Sequence, residues 1–191
     1  SIYAQMLYTW GETLKKMQIT QIPQKGLYGG ILCPSCSRVH GRTLDAVYPF
    51  LCLAHRTGDV SYVDAAMRVY QWAEHVSRPD GSWVGETNHG WKGITVFSVI
   101  QLAEALKFHG CVLDKKTQAA WQTRLRRGAD YLKNELTMET GNINYPITAS
   151  AAFALAGEVL GDESYTAKAR QFAHNAMTYM TPNRLIFGEG S

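Results

Sequence analysis

The segment GDVSYVDAA at residues 58–66 returns as GDESYTAKA at residues 161–169, 103 residues further along the chain. In each copy the glycine follows an apolar stretch, and the next polar residues are of the types that cap the start of a helix. Half of the separation is about 50 residues, which lies in the range of repeats built from helix pairs. The repeated segment therefore predicts an all-α fold of paired helices.

The hydrophobic pattern around these segments separates two kinds of helix. Amphipathic patterns, which indicate helices with one face in water, cover residues 2–18, 61–76, 114–136 and 163–180. Patterns that are apolar on almost all sides, which indicate helices covered by neighbours, cover residues 43–57, 94–106 and 146–160. We expect the two kinds to alternate as outer and inner helices, giving about three and a half helical hairpins.

The bulk composition excludes two classes of partner. Lys and Arg number 19 against 16 Asp and Glu, a surplus too small to predict nucleic-acid binding. The local cluster of Arg124, Arg126 and Arg127 lies on an amphipathic pattern and is predicted to be solvated. No apolar run approaches the roughly 20 residues that span a bilayer, so no membrane partner is expected. Cys52 and Cys111, in or beside apolar helices, are predicted to be core thiols.

The long connections all lie between an outer helix and the next inner helix. They carry CPSCSRVHGR (33–42), RPDGSWVGETNHGWKG (78–93), TGNINYP (140–146) and PNRLIFGEG (182–190). Connections of this length are more often functional than mere spacers. Because each of them leads into an inner helix, the amino-terminal ends of the inner helices lie at one end of the helical bundle, which we call the rim. Unpaired N–H groups and helix dipoles there favour anions. The pattern therefore predicts a rim suited to a carboxylate-bearing sugar.

Three features resemble a known superfamily: PDGSW at residues 79–83 leading to an inner helix, HGWKG at 89–93, and the paired GDxSY segments. Together with the alternation of helices, they resemble the α/α toroids of six-hairpin glycosidases and related polysaccharide lyases. Within that superfamily, CPSCSRVHGRTLDAVYP at residues 33–49 is most similar to Bacteroides-type β-glucuronidases. The resemblance implies a carbohydrate-active enzyme with an oligo- or polysaccharide partner and no organic cofactor.

The resemblance also bears on domain organisation. Such toroids close with more hairpins than this chain contains. We therefore expect residues 1–191 to form a single helical domain that is the amino-terminal part of a larger α/α toroid. The remainder of the toroid or a partner chain would cover the open helical edges, because exposed apolar faces need a partner. A periplasmic or secreted location is expected.

The first connection and the start of the inner helix that follows it hold five candidate site residues. Arg42 either binds a substrate carboxylate through two hydrogen bonds or forms a salt bridge with Asp45 one turn on. Asp45 is either a catalytic acid or a charge at the start of a helix. Cys33, Cys36 and His40 supply three possible zinc ligands at CxxC spacing, with no fourth ligand nearby; free thiols are the favoured interpretation, with a structural zinc ion or a Cys33–Cys36 disulfide as alternatives. His40 and Arg42 are expected at the rim as substrate-binding residues in either case.

The segment GETNHGWKG at residues 85–93 is the densest in chemically useful side chains. The candidate roles are general acid or base for Glu86, hydrogen-bond donor for Asn88, proton transfer for His89, sugar stacking for Trp91 and a second cation for Lys92. The alternative is a solvated loop without a chemical role, which is usual for a lone histidine. The concentration of five such residues between glycines favours the functional interpretation.

The third connection places Asn142, Asn144 and Tyr145 before an inner helix. Tyr145 precedes Pro146, which predicts an extended backbone that aims the ring at the cleft. Asn144 is then a substrate-binding candidate and Tyr145 a catalytic one. Alternatively, the asparagines cap turns and the ring covers the helix end. Asp80, in the sequence Pro-Asp-Gly, is predicted to form a turn.

The leading functional prediction is a glycoside hydrolase acting on uronic-acid-containing glycans, with Asp45 and Glu86 as its carboxylate pair. The first alternative is a polysaccharide lyase, in which a cation or amide offsets the uronate charge and His or Tyr removes the C5 proton. The residues that fit this alternative are Arg42, Asn88, His89 and Tyr145. The second alternative is a non-catalytic helical scaffold that binds a glycan or a protein with the same rim. The hydrolase ranks first through the family resemblance only.

Overall fold

A computed structural model describes residues 1–21, 26–86, 90–183 and 186. Its α-helices are α1 (Ile2–Met17), α2 (Val47–Thr57), α3 (Val60–Ala73), α4 (Thr95–His109), α5 (Lys115–Glu135), α6 (Asn144–Leu160) and α7 (Glu163–Met177). Short 3-10 helices occur at Gly41–Ala46, Glu74–Val76, Lys92–Ile94 and Gly110–Val112. Pairing between extended segments is limited, within the described ranges, to isolated bridges. The all-α prediction is confirmed.

The helices form two layers. The inner layer is α2, α4 and α6, in which α4 packs against both neighbours. The outer layer is α1, α3, α5 and α7: α1 and α3 pack on α2, α5 packs on α4 and α6, and α7 packs on α6. This alternation is the predicted partial α/α toroid of about three and a half hairpins. None of the described helices is both long enough and apolar enough to span a bilayer.

The repeated GDxSY segment performs the same task in both copies. Gly58 and Gly161 end α2 and α6 in the left-handed conformation, with φ of 72° and 63°. Asp59 and Asp162 then cap α3 and α7 by accepting a hydrogen bond from the backbone N–H two residues on. Asp114 caps α5 in the middle pair. The turn from each inner helix to the next outer helix is therefore encoded locally.

The tyrosine of the same segment joins successive outer helices. The Tyr62 hydroxyl donates to Glu12 Oε1 of α1 at 2.5 Å. The Tyr165 hydroxyl donates to Asp130 Oδ1 of α5 at 2.5 Å. Both tyrosines are 1% exposed. Burial is the main cause that raises the pKa of each hydroxyl, and the hydrogen bond to the carboxylate adds to it, so both tyrosines stay neutral donors.

An antiparallel bridge follows three of the outer helices. The bridged pairs are Gln18 with Ile31, Ser77 with Trp83, and Met180 with Ile186. Gly29 and Gly81 lie in the segments between the partners of the first two bridges, with φ of 89° and 95°. A Cβ atom at these positions would overlap the carbonyl oxygens of Arg68 and Arg127. Because those carbonyls belong to α3 and α5, glycine allows each segment to lie directly against an outer helix.

Arg124 differs from its prediction as part of a solvated basic cluster. Its side chain is only 4% exposed, whereas Arg126 and Arg127 are exposed. The guanidinium carbon lies 3.4 Å from the ring centroid of Trp83. Its nitrogens donate to Gly81 O and Ser77 Oγ, both at 2.9 Å. Arg124 therefore anchors the second connection to α5.

The two cysteines predicted to be core thiols have different environments. Cys52 is buried in α2, as expected. Cys111 is exposed in the 3-10 helix Gly110–Val112, so its prediction is wrong. The reason is that α4 has already ended there and the chain turns outward toward α5.

Candidate active site

Residues from two connections and two inner helices form a continuous surface at the amino-terminal ends of the inner helices. The Arg42 guanidinium carbon lies 3.9 Å from the ring centroid of Phe97. The Phe97 and Tyr145 rings are 5.7 Å apart between centroids, and the Tyr145 and Trp91 rings are 5.6 Å apart. We call Arg42, Phe97, Tyr145 and Trp91 the rim surface. The predicted convergence of Arg42 and Tyr145 on one rim agrees with this geometry.

Trp91 presents an aromatic face at this surface. The indole packs over Gly93 and Gly141, where added Cβ atoms would meet the ring. Gly141 has a φ of 71°, so the third connection approaches the indole in a conformation that other residues rarely adopt. Because Trp91 remains 45% exposed, the ring can stack on the apolar face of a sugar.

Tyr145 lies in a helix and not in the extended segment that Pro146 predicted. Helix α6 begins at Asn144, and the Tyr145 N–H donates to Asn142 O at 3.0 Å. Proline is tolerated in the first turn because N–H groups there have no intrahelical acceptor. Pro49 occupies the same third position in α2. The Tyr145 ring nevertheless reaches the rim surface.

Asn144 begins α6 beside Tyr145. Its Oδ1 atom is buried without a hydrogen-bond partner among the described residues. A buried amide oxygen in this state is costly unless a ligand or water satisfies it. Asn144 therefore keeps its place among the substrate-binding candidates.

Arg42 forms the salt bridge with Asp45 that was one of its two predicted roles. Arg42 Nε donates to Asp45 Oδ2 at 2.6 Å. Desolvation by burial raises the pKa of Asp45, although the hydrogen bond and charge of Arg42 oppose the shift. Asp45 Oδ1 is also buried without a partner in the described part of the chain. Because the Arg42 side chain stays 48% exposed, the guanidinium is positioned by Asp45 and still open to a ligand.

Two neighbouring cavities meet at His40. The first has a volume of about 390 Å³ and is lined by His40, Arg42 and Asp45 together with the end of α1. The second has a volume of about 490 Å³ and is lined by His40, Arg38 and Glu86. Arg38 Nη1 lies 3.9 Å from Glu86 Oε1. Asp45 and Glu86 thus line different cavities, which does not favour the predicted hydrolase pair flanking one glycosidic bond.

Lys92 is directed toward the outer layer. Its Nζ atom donates to Asp80 Oδ2 at 2.6 Å and lies 5.9 Å from the ring centroid of Tyr131 in α5. Asp80 also accepts from the backbone N–H and the hydroxyl of Ser82, at 3.0 and 2.7 Å. Although desolvation by burial opposes the shift, the hydrogen bonds from Lys92 and Ser82 lower the pKa of Asp80 to about 2. Lys92 therefore clamps the predicted Asp80 turn, and the cation of the rim surface is Arg42.

Two predicted residues of the second connection, Asn88 and His89, lie outside the described residues. Phe97, by contrast, joins the rim surface without having been predicted. Its sequence context in α4 is apolar, so it resembled the core residues around it. The available signal was its position in the first turn of an inner helix, where side chains reach the rim and are only partly buried.

The Cys33–Cys36–His40 cluster lies beside the first cavity. Both thiols are free, and the possible ligand atoms of the three residues lie within 4.8 Å of one another. Cys36 Sγ and His40 Nε2 are 3.0 Å apart. Hydrogen bonds from the backbone N–H groups of Cys36 and Ser35 lower the pKa of Cys33, which favours its thiolate. The arrangement has the ligand types of a zinc site.

Comparison with known proteins identifies the family. Residues 7–191 match the ulvan lyase N-terminal domain family. The broad-specificity ulvan lyase of Formosa agariphila is 40% identical over 192 residues, which cover 99% of this chain and 30% of that enzyme. The chain thus spans about 30% of the length of this relative, and no solved structure matches it. These matches favour the lyase alternative and support neither the hydrolase prediction nor the narrower resemblance to β-glucuronidases. The chain belongs to the ulvan lyase N-terminal domain family.

Proposed function

We propose that the protein is a polysaccharide lyase that cleaves a uronate-containing polysaccharide such as ulvan by β-elimination. Membership of the ulvan lyase N-terminal domain family is the observation that carries this proposal. The rim surface supports it, because a cation, a tyrosine and an exposed indole lie together there. This chain would contribute one wall of the substrate cleft.

The reaction requires three kinds of group. A base removes the proton on C5 of the uronate, the electron pair forms the C4–C5 double bond, and the C4–O4 bond breaks. An acid protonates the departing oxygen. The ionised carboxylate opposes loss of the C5 proton, so a cation or hydrogen-bond donor must offset its charge as the carbanion develops.

We assign these roles on the rim surface. Arg42 would bind the uronate carboxylate, since its guanidinium rests on Phe97 and is oriented by Asp45. The Tyr145 hydroxyl would transfer the proton, with His89 as a second candidate. Trp91 would stack on a sugar ring. Asp45 would thus be a positioning residue and not an acid of a hydrolase.

We further propose that residues 1–191 form the amino-terminal part of a larger toroid. Ile2, Tyr3 and Trp10 of α1 are 69%, 79% and 61% exposed, which supports an edge that another part of the protein or a partner chain covers. A periplasmic or secreted location suits the proposed substrate, because a polysaccharide does not cross a membrane unaided.

The test is incubation of the purified protein that carries this chain with ulvan. The assay follows ultraviolet absorbance of the unsaturated uronate and, in parallel, newly formed reducing ends. A lyase raises both in equal amounts. Reducing ends without the absorbance would establish hydrolysis and refute the proposal, and the absence of both signals would refute either enzymatic activity.

Tyr145→Phe tests the assignment of the proton-transfer group. We expect kcat to fall by about 10²- to 10⁴-fold with little change in KM, since only the hydroxyl is removed. The matched control is Tyr70→Phe, because Tyr70 stacks on Trp121 between two outer helices and is not a residue of the rim surface. Full activity of Tyr145→Phe would refute the role of Tyr145.

A further inference from the structure

We propose that Cys33, Cys36 and His40 bind one zinc ion that fixes the connection from α1 to α2. Their ligand atoms lie within 4.8 Å of one another in the described structure. Around a tetrahedral zinc ion, with bonds of about 2.3 Å to sulfur and 2.0 Å to nitrogen, neighbouring ligand atoms lie ~3.5–3.8 Å apart. Zinc binding therefore requires side-chain movements of only about 1 Å.

The backbone already has the shape of a metal-binding turn. The Ser37 N–H donates to Cys33 O at 2.9 Å, and the Cys33 N–H donates to Arg38 O at 2.8 Å. Ser37 has a φ of 55°, which is uncommon for a residue other than glycine. This closed turn brings both sulfurs to one side. His40 is four positions after Cys36, and its Nε2 atom lies 3.0 Å from Cys36 Sγ.

The donor set selects the metal. Two thiolates and one imidazole are soft and intermediate ligands, which suit zinc and not magnesium or calcium. A disulfide between Cys33 and Cys36 would use the same thiols but would leave the approach of His40 without a role. Metal binding accounts for all three side chains at once.

The location gives the ion a structural role next to the rim surface. The Gly41 N–H donates to Gly85 O at 2.9 Å, so the turn after His40 is tied to the second connection. Arg42 and Asp45 follow directly. With three protein ligands, a tetrahedral zinc ion retains one position for water, which is accessible because Cys36 is exposed. This inference is independent of the proposed lyase activity.

The experiment measures zinc content in the full protein. The protein is reduced, incubated with zinc chloride, dialysed, and analysed by mass spectrometry of the metal. We expect about one zinc per chain. Cys33→Ser and Cys36→Ser should lower zinc affinity by at least about tenfold, because loss of a direct ligand exceeds the effect of losing an outer-shell partner. Cobalt substitution gives an independent readout, since thiolate-to-cobalt charge-transfer absorption should appear in the wild type and be weaker in both variants at the same cobalt concentration, because each variant loses one thiolate.

The matched control is Cys111→Ser. Cys111 is an exposed thiol 3.7 Å from His55 Nε2 but lies outside the proposed site, so this variant should retain full zinc content. Circular dichroism verifies that each variant is folded. A wild-type protein without zinc after reduction and reconstitution, or equal zinc affinity in Cys33→Ser, would overturn the proposal.

Discussion

Replacement of Arg124 by methionine tests whether α5 holds the second connection in place. The substitution removes two hydrogen bonds from a charged donor, to Gly81 O and Ser77 Oγ, worth about 1.5–3 kcal/mol each. It also removes the cation–π contact with Trp83, worth about 1–2 kcal/mol. Against this, burial lowers the pKa of Arg124 to about 10 from its usual 12.5. That shift is the net effect of desolvation and of the attraction to Glu74, whose Oε1 lies 3.5 Å from Arg124 Nε, and it corresponds to about 3 kcal/mol of unfavourable free energy that methionine relieves.

The balance predicts that Arg124→Met lowers the free energy of unfolding by about 3 kcal/mol, within a range of about 1–5. For a chain of this length the melting temperature should fall by roughly 6–12 °C. Urea denaturation followed by circular dichroism measures the change as a shift of the midpoint at constant slope.

Arg127→Met is the matched control on the same helix. Arg127 is exposed, and its Nη2 atom lies 3.5 Å from Pro79 O, which makes at most a weak hydrogen bond. We expect a change within about 0.5 kcal/mol. If both variants have the same stability, Arg124 does not anchor the connection and the reasoning from its burial is refuted.

Two further predictions concern single hydrogen-bonded groups. The pKa of Asp80, about 2 in the folded chain, lies below the unfolded value of about 3.9, so its stabilisation is complete above that value and is lost as the pH falls through about 2. Asp80→Asn should flatten this part of the stability profile, measured as urea midpoints between about pH 2 and 5; superimposable profiles would contradict it. Tyr62→Phe and Tyr165→Phe should each cost about 1–2 kcal/mol in urea denaturation and add in the double variant. A loss in only one of the two would show that the copies are not equivalent.

The fold was predictable because its information is local and repeated. The GDxSY segment determines where an inner helix ends and an outer helix begins. In both copies the glycine ends the inner helix and the aspartate caps the outer one. Hydrophobic patterning separated inner from outer helices because inner helices are covered on most sides. Helix ends differ from the prediction by a few residues, as at α6, where proline permits an earlier start.

The site was predictable only in part, because side-chain partners depend on three-dimensional distances. The convergence of Arg42 and Tyr145 followed from the common direction of the inner helices. Whether Arg42 would pair with Asp45 or with a ligand could not be predicted from the sequence, since the guanidinium suits both partners. The partner of Lys92 is 12 positions away across a turn, and the burial of Arg124 requires an indole from another element. Neither contact has a signature in sequence spacing.

Each antiparallel bridge holds together the two ends of the segment between its partners. These segments are residues 19–30 for the first bridge and 78–82 for the second. The entropic cost of closing a loop grows only slowly with its length, so an insertion between fixed ends costs little. The number of residues between bridge partners can therefore change at little cost in stability, while the frame of helices that carries them stays the same.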